Sequence, residues 1–166
     1  MNSGKGLRLF ALYIASGAVF VGLTSMRLPP LVASHFGVSG MANGFMTRTF
    51  YTAFMVAFVI GLPALMVLLT WFAVGNARVR LNVPNRDYWL APERRAATVA
   101  FLRNGILWFG VLLVSFLCYA HALVVRANGV QPPRLDNSWF IGGLVAFFIV
   151  LFVAVRKFLG RFRRTA

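Results

Sequence analysis

Four predominantly apolar stretches of the chain contain no Asp, Glu, Lys or Arg; a fifth uncharged run, 28–47, is interrupted by Pro29-Pro30 and by turn residues. Eighteen residues lie between Arg8 and Arg27, twenty-nine between Arg48 and Arg78, twenty-two between Arg103 and Arg126, and nineteen between Asp136 and Arg156. A helix needs about 20 mostly apolar residues to cross the hydrocarbon of a bilayer, within a range of ~17–25. All four stretches meet that length, the first only just. The fourth, F-I-G-G-L-V-A-F-F-I-V-L-F-V-A-V, holds twelve Phe, Ile, Leu or Val. Those side chains alone favour insertion by ~4–7 kcal/mol, and no central arginine is present to oppose them at about 2.5–3.5 kcal/mol. Amphipathic helices of soluble proteins alternate apolar and polar faces; these stretches do not. The pattern predicts an all-α integral membrane protein, a four-helix transmembrane bundle in a single membrane domain over 1–166. The spans are expected at about 8–26, 49–74, 104–125 and 138–156. They are joined by loops 27–48, 75–103 and 126–137 and followed by a basic tail, 157–166.

Charge gives the bundle a direction. Lys5 and Arg8 precede the first span, six arginines lie between the second and third, and five basic residues follow the fourth. The other two loops hold only Arg27, Arg48, Arg126 and Arg134. Thirteen positives against four on alternate sides is the positive-inside arrangement. It places both termini and loop 75–103 in the cytoplasm, and loops 27–48 and 126–137 outside. Trp71 and Trp108 near inner ends, and Tyr51, Tyr119 and Trp139 toward outer ends, fit interfacial aromatic belts.

Composition then narrows the function. Apolar residues make up 60% of the chain and charged residues 12%, with seventeen Lys and Arg against three Asp and Glu. In a soluble protein a net charge of +14 would point to nucleic acid. Here the positives sit between long uncharged runs, so the expected partner is a bilayer with anionic lipids at its cytoplasmic face. No nucleic acid is expected. Proton- or ion-coupled transporters usually place ionisable groups within their spans, and no Asp or Glu falls within these. No Gly-rich phosphate loop, H-E-x-x-H or G-x-S-x-G motif occurs, so neither an enzyme nor a cofactor is expected. His35, His121 and Cys118 are too few for a convincing metal site. His121 is read instead as bonding a neighbouring helix. Ala11, Ala15, Ala18 and Gly22 recur at three- and four-residue spacing and predict a close helix contact along that side of the first span, with Gly142-Gly143 doing the same for the fourth.

Two loops carry the candidate site residues. Loop 27–48 begins with Pro29-Pro30, which ends a helix, and offers turn positions at Gly37, Gly40 and Asn43-Gly44. It reads as short and shaped. His35 in this loop is of the side-chain type that changes charge near neutral pH, a basis for acid sensing or peptide binding. The run L-P-x-x-x-x-x-H-F-x-x-x-G-x-x-N-G-F-x-x-R, Leu28 to Arg48, resembles the domain of unknown function 1648. That domain occurs in small bacterial membrane proteins, including relatives of an immunity protein against a sporulation-delaying toxin. Pro29, His35, Phe36, Gly40, Asn43, Gly44 and Arg48 carry the resemblance, while Ala33 stands where a second Pro is frequent and Asn43 where Asp is common. The resemblance implies a bacterial inner-membrane protein and brings no catalytic residues.

The second candidate stretch is N-V-P-N-R-D-Y-W-L-A-P-E-R-R, Asn82 to Arg95, which holds two of the three acids. Pro84 and Asn85 predict a turn, and Tyr88, Trp89 and Leu90 suit the headgroup boundary. Pro92 opens a helix with Glu93 in its first turn, where the dipole favours an anion. Asp87 and Glu93 are expected to brace the loop by pairing with its arginines. Asn85, Asp87, Trp89, Glu93, Arg94 and Arg95 form the expected cytoplasmic interface. The leading functional reading is a non-enzymatic binding, immunity-like or envelope-stress accessory protein, with Leu28–Arg48 as recognition surface and a protein partner or homo-oligomer in view. The alternative is a small oligomeric transporter or channel.

Overall fold

The computed structural model describes residues 3–76 and 78–163. Its elements in chain order are α1 (Ser3–Ser25), β1 (Leu31–Phe36), β2 (Ala42–Thr47), α2 (Arg48–Gly75), α3 (Arg86–Trp89), α4 (Pro92–Ala127) and α5 (Asn137–Arg163). The four long helices each have the length and hydropathy to cross a membrane. The chain is a helical, multi-pass membrane protein with one small sheet.

The packed centre is made by three helices. α1, α2 and α4 enclose Phe10, Ile14, Val21, Val59, Val67, Leu107, Val114 and Leu117. Gly17 sets the closest approach: a Cβ there would lie 3.0 Å from Val114 and 3.2 Å from both Val59 and Cys118. Gly110 does the same for α4, leaving room for the Phe10 ring and Val67. The contact face of α1 is therefore Phe10, Ile14, Gly17 and Val21. The expected face of small residues is wrong, since Ala11 and Ala15 are exposed and nothing lies near Gly22. Large neighbours chose the face, with one glycine where a flanking side chain had to fit.

α5 stands apart from this centre. It packs along α4 through Phe147 on Phe116, with ring centroids 4.4 Å apart, and through Gly143, which receives the Tyr119 ring. Gly142 has open space around it, so only one of the paired glycines makes the expected contact. None of the most apolar window of α5 is buried within the chain. Large apolar side chains are also turned outward on the other helices, Leu12, Leu69 and Trp108 among them. In water this surface would be untenable; against lipid tails it is neutral packing surface.

Two boundaries differ from expectation. The helix opened by Pro92 does not stop before the third span but continues into it for 36 residues. At 1.5 Å per residue that is about 54 Å, well beyond the ~30 Å of hydrocarbon. Nothing between Pro92 and Ala127 breaks a helix, so the expected loop 75–103 shortens to 76–91. At the other end, α5 carries the basic segment in helical form as far as Arg163, while Arg164 to Ala166 lie outside the described residues. α2 runs unbroken through Pro63, which is buried. Thr47 caps α2 by accepting a hydrogen bond from the Phe50 amide, and Asp136 caps α5 by accepting from Ser138 and Trp139.

Candidate functional site

The first candidate stretch is a β-hairpin rather than an irregular loop. β1 and β2 pair antiparallel, Leu31 opposite Thr47 and Ala33 opposite Phe45, with an irregularity before His35 that brings it opposite Gly44. The turn at its tip closes through Gly37 and Gly40, the latter at φ +78°. No Cβ fits at Gly40, because the Leu135 carbonyl occupies that position. That contact shows how the hairpin is held. The loop between α4 and α5 folds over it: the Leu135 amide donates to the Gly40 carbonyl at 2.8 Å, and the Asn137 side chain donates to the Val38 carbonyl at 2.7 Å.

Asn128 makes the other clasp. It sits just past the end of α4, buried, and its amide group pairs with Ala33 on both sides. The Ala33 N–H donates to Asn128 Oδ1 at 2.8 Å, and Asn128 Nδ2 donates to the Ala33 carbonyl at 2.9 Å. A side-chain amide thus replaces the neighbouring strand that β1 lacks at that residue. Arg48, first residue of α2, returns a guanidinium hydrogen bond to the Leu28 carbonyl at 3.1 Å. All seven residues of the expected recognition loop therefore fall within one cap. Pro29 is half-buried at its base, Phe36 half-buried at the end of β1, and Gly44 lies under the His35 ring. His35 and Asn43 are exposed, and so are Leu31, Val38 and Phe45. The residues missed from sequence are Asn128, Leu135 and Asn137. Asn128 carries the local signal of a polar side chain just after a span and Asn137 that of one opening the next helix, while Leu135 acts through its backbone and carries none; their partners lie some hundred positions away.

Below the cap, a buried polar group ties the three central helices. His121 is fully buried on α4; its Nε2 lies 2.7 Å from the Thr24 hydroxyl of α1 and its Nδ1 2.9 Å from the Tyr51 hydroxyl of α2. Both ring nitrogens are thus engaged, and the Phe20 and Tyr51 rings enclose the imidazole. This agrees with the reading of His121 as an interhelical bonding residue. Among the described residues no three His, Cys, Asp or Glu side chains gather closely enough to ligate a metal.

At the opposite, arginine-rich end the short loop 76–91 is anchored by apolar side chains. Leu81, Val83 and Trp89 pack with Val74, Leu102 and the fully buried Phe162. Asn85 takes a left-handed conformation at φ 51°, and both its side-chain amide and the Trp89 indole donate to the Phe162 carbonyl, at 2.8 and 3.2 Å. The C-terminal helix is therefore tied to the loop, which sequence reading did not foresee. Thr98 donates to the Trp89 carbonyl at 2.7 Å and closes the turn onto α4.

The acids do not brace this loop as expected. Among the described residues neither Asp87 nor Glu93 forms an ion pair. The arginines rest on rings instead: Arg94 lies 4.0 Å above Tyr88, and Arg161 spans Trp89 and Phe101 at 5.4 and 4.4 Å. Planar guanidinium groups stack well on aromatic faces, and the loop's exposed carboxylates stay hydrated at little cost. Of the six expected interface residues, Asn85 and Trp89 shape the loop, and Arg94 packs on it. Asp87 and Arg95 line a cavity shared with Arg78, Arg80 and Arg86, which sequence reading left out. Glu93 is exposed in the first turn of α4. No protein-family model, curated protein or solved structure matches the chain.

Proposed function

We propose that this chain is a non-catalytic binding protein of a bacterial inner membrane, its termini and arginine-rich loop in the cytoplasm and its hairpin cap outside. The cap is the recognition surface, and its partner is an extended segment of another envelope polypeptide. The immunity-like reading, and the resemblance to the domain 1648 family on which it draws, belong to this proposal. One observation carries it. The hairpin is clamped by Asn128, Leu135 and Asn137 into a fixed shape, and beyond its first residue, where the Ala42 amide donates to the Pro133 carbonyl, β2 has no further strand along its outer edge among the described residues. A fixed, unpaired strand edge is a template for strand addition. Leu31, Phe45 and Val38 provide exposed apolar contacts beside it, at 59%, 52% and 99% of full exposure.

A photoreactive residue placed at Asn43 or Phe45 tests this in growing cells. A discrete protein adduct is expected from either position, with none from the lipid-facing Leu65, and Leu31→Asp should suppress it. Adducts that are identical at Leu65, or consist only of lipid, would contradict the docking role. The second reading, a small oligomeric transporter or channel, draws on the apolar groove left open between α4 and α5, about 900 Å³ along Trp108, Ile149 and Val153, which another copy could fill. Tracer flux through reconstituted liposomes separates the two, because a binding protein leaves leakage at background.

A further inference from the structure

The arginine-rich end contains a cavity that the docking role of the cap does not use. It measures about 500 Å³ and is lined by Arg78, Arg80, Arg86 and Arg95, with one acidic residue, Asp87, and four apolar ones. These four arginines come from three separate places: the extended chain after α2, the short helix α3 and the first turns of α4. Each has a local structural reason to be there. The Arg78 amide donates to the Asn76 side chain at 2.9 Å, starting the turn out of α2. Left-handed Asn85 folds α3 back, and the Asn85 and Trp89 bonds to Phe162 hold it there. The Ala91 carbonyl accepts from both the Arg94 and Arg95 amides and starts α4. Val83 and Trp89 are taken up in the Phe162 cluster, and Leu81 lies both in that cluster and in the wall of the arginine-lined cavity.

Four like charges sharing one concavity repel one another, and a single exposed carboxylate offsets only part of that. Guanidinium groups in such a set are matched by an anion with several oxygens, each planar fork binding two of them. We infer that the cavity walled by Arg78, Arg80, Arg86 and Arg95 binds a phosphate group of at least two negative charges, a phosphomonoester or a diphosphate. Its volume leaves room for more than one phosphate, so a headgroup or a small organic phosphate fits. Phosphate of this chemistry reaches a loop beside a bilayer from two sources, an anionic lipid or a soluble compound. The site differs from general attraction of a basic surface to lipid because it depends on which arginines are present, and on their forks rather than their charge alone.

The full-length chain in phosphatidylcholine nanodiscs tests this by titration with dioctanoyl phosphatidic acid, dioctanoyl phosphatidylglycerol and inorganic pyrophosphate. Phosphatidic acid or pyrophosphate should bind at least tenfold more tightly than phosphatidylglycerol, whose phosphodiester carries one charge. Tight binding of phosphatidic acid alone assigns a lipid source, and of pyrophosphate alone a soluble one. Arg80→Gln with Arg86→Gln should weaken the favoured ligand tenfold or more, while Arg156→Gln with Arg163→Gln, the same charge change at the same end, should cost under threefold. Arg80→Lys with Arg86→Lys should still weaken it at least threefold. Asp87→Asn should tighten it, a gain that no misfolded variant would show. Equal losses for the cavity and control pairs, full retention by the lysine pair, or no preference among the three anions would each overturn the assignment.

Discussion

At the residue scale, three side chains place a polar group where its removal would be felt across helices. His121 is the deepest of them. Its two ring nitrogens serve hydroxyls on two other helices, so one imidazole closes a contact among all three central spans. Hydrogen bonds between membrane helices average about 0.6 kcal/mol each and reach ~1.7. His121→Leu removes two, and leaves the Tyr51 hydroxyl to find another partner, whereas the Thr24 hydroxyl keeps its bond to the Phe20 carbonyl at 2.6 Å. A loss of about 1–3 kcal/mol is therefore expected. It would be read as a lower thermal midpoint in detergent; Cys118→Ala, which removes a half-buried sulfur packed beside Gly17 and its long contact to the Gly17 carbonyl, should lower the midpoint less. The histidine was visible in the sequence as the one histidine within a span, and its role as a helix-bonding group was readable from that fact. Its partners were not, because Thr24 and Tyr51 are ordinary residues near span ends whose direction only packing decides.

At the element scale, the spans were legible and their faces were not. Charge-free length together with sustained hydropathy marks four helices, because an Arg or Asp at the centre of a span costs more than a few apolar residues return; the equally uncharged run 28–47 is set apart by Pro29-Pro30 and its turn residues. The same uniformity hides which side packs. In α1 both the Ala11, Ala15 side and the Phe10, Ile14 side are apolar, and hydropathy has no means of choosing between them when the surroundings are also apolar. The hairpin was hidden for another reason. Its strands are six residues each and are broken by an irregularity at His35, so period-two alternation never builds up. Much of its support comes from Asn128, 95 positions from Ala33. Asn128→Leu keeps the approximate volume and removes both amide bonds to Ala33. Amide hydrogen exchange in residues 31–36 and 42–47 should then quicken by roughly tenfold or more, since each such bond contributes about 0.5–1.5 kcal/mol. Exchange within α2 and α4 should stay as it was. Faster exchange throughout the chain would show instead that Asn128 supports the bundle as a whole and not the cap in particular.

At the scale of the whole molecule, the protein has a tight centre of three helices, a fourth helix leaning on one of them, and a different device at each end. The cap at one end is built from backbone pairing and two side-chain amides, and shows exposed apolar residues around a strand with one largely open edge. The loop at the other end is anchored through Phe162 and gathers arginines around a cavity. α5 links the two, since its first turn is capped beside the hairpin and its last turn is bonded to the loop. The unequal distribution of charge was the clearest whole-molecule signal in the sequence, and the proposed orientation rests on it through the positive-inside rule. The distribution could not disclose that α4 continues far beyond the hydrocarbon, because the arginines of its first turns resemble those of a loop.

The arrangement of these two ends across a membrane is the claim on which the cap and cavity readings both depend, and accessibility of single cysteines measures it directly. In a Cys118→Ser background, Ser39→Cys places a thiol at the hairpin tip and Val79→Cys places one in the arginine-rich loop. With a membrane-impermeant maleimide and an opened outer membrane, position 39 should label in intact cells and position 79 only after the inner membrane is permeabilised. Labelling of both positions in intact cells, or of position 79 alone, would contradict the account.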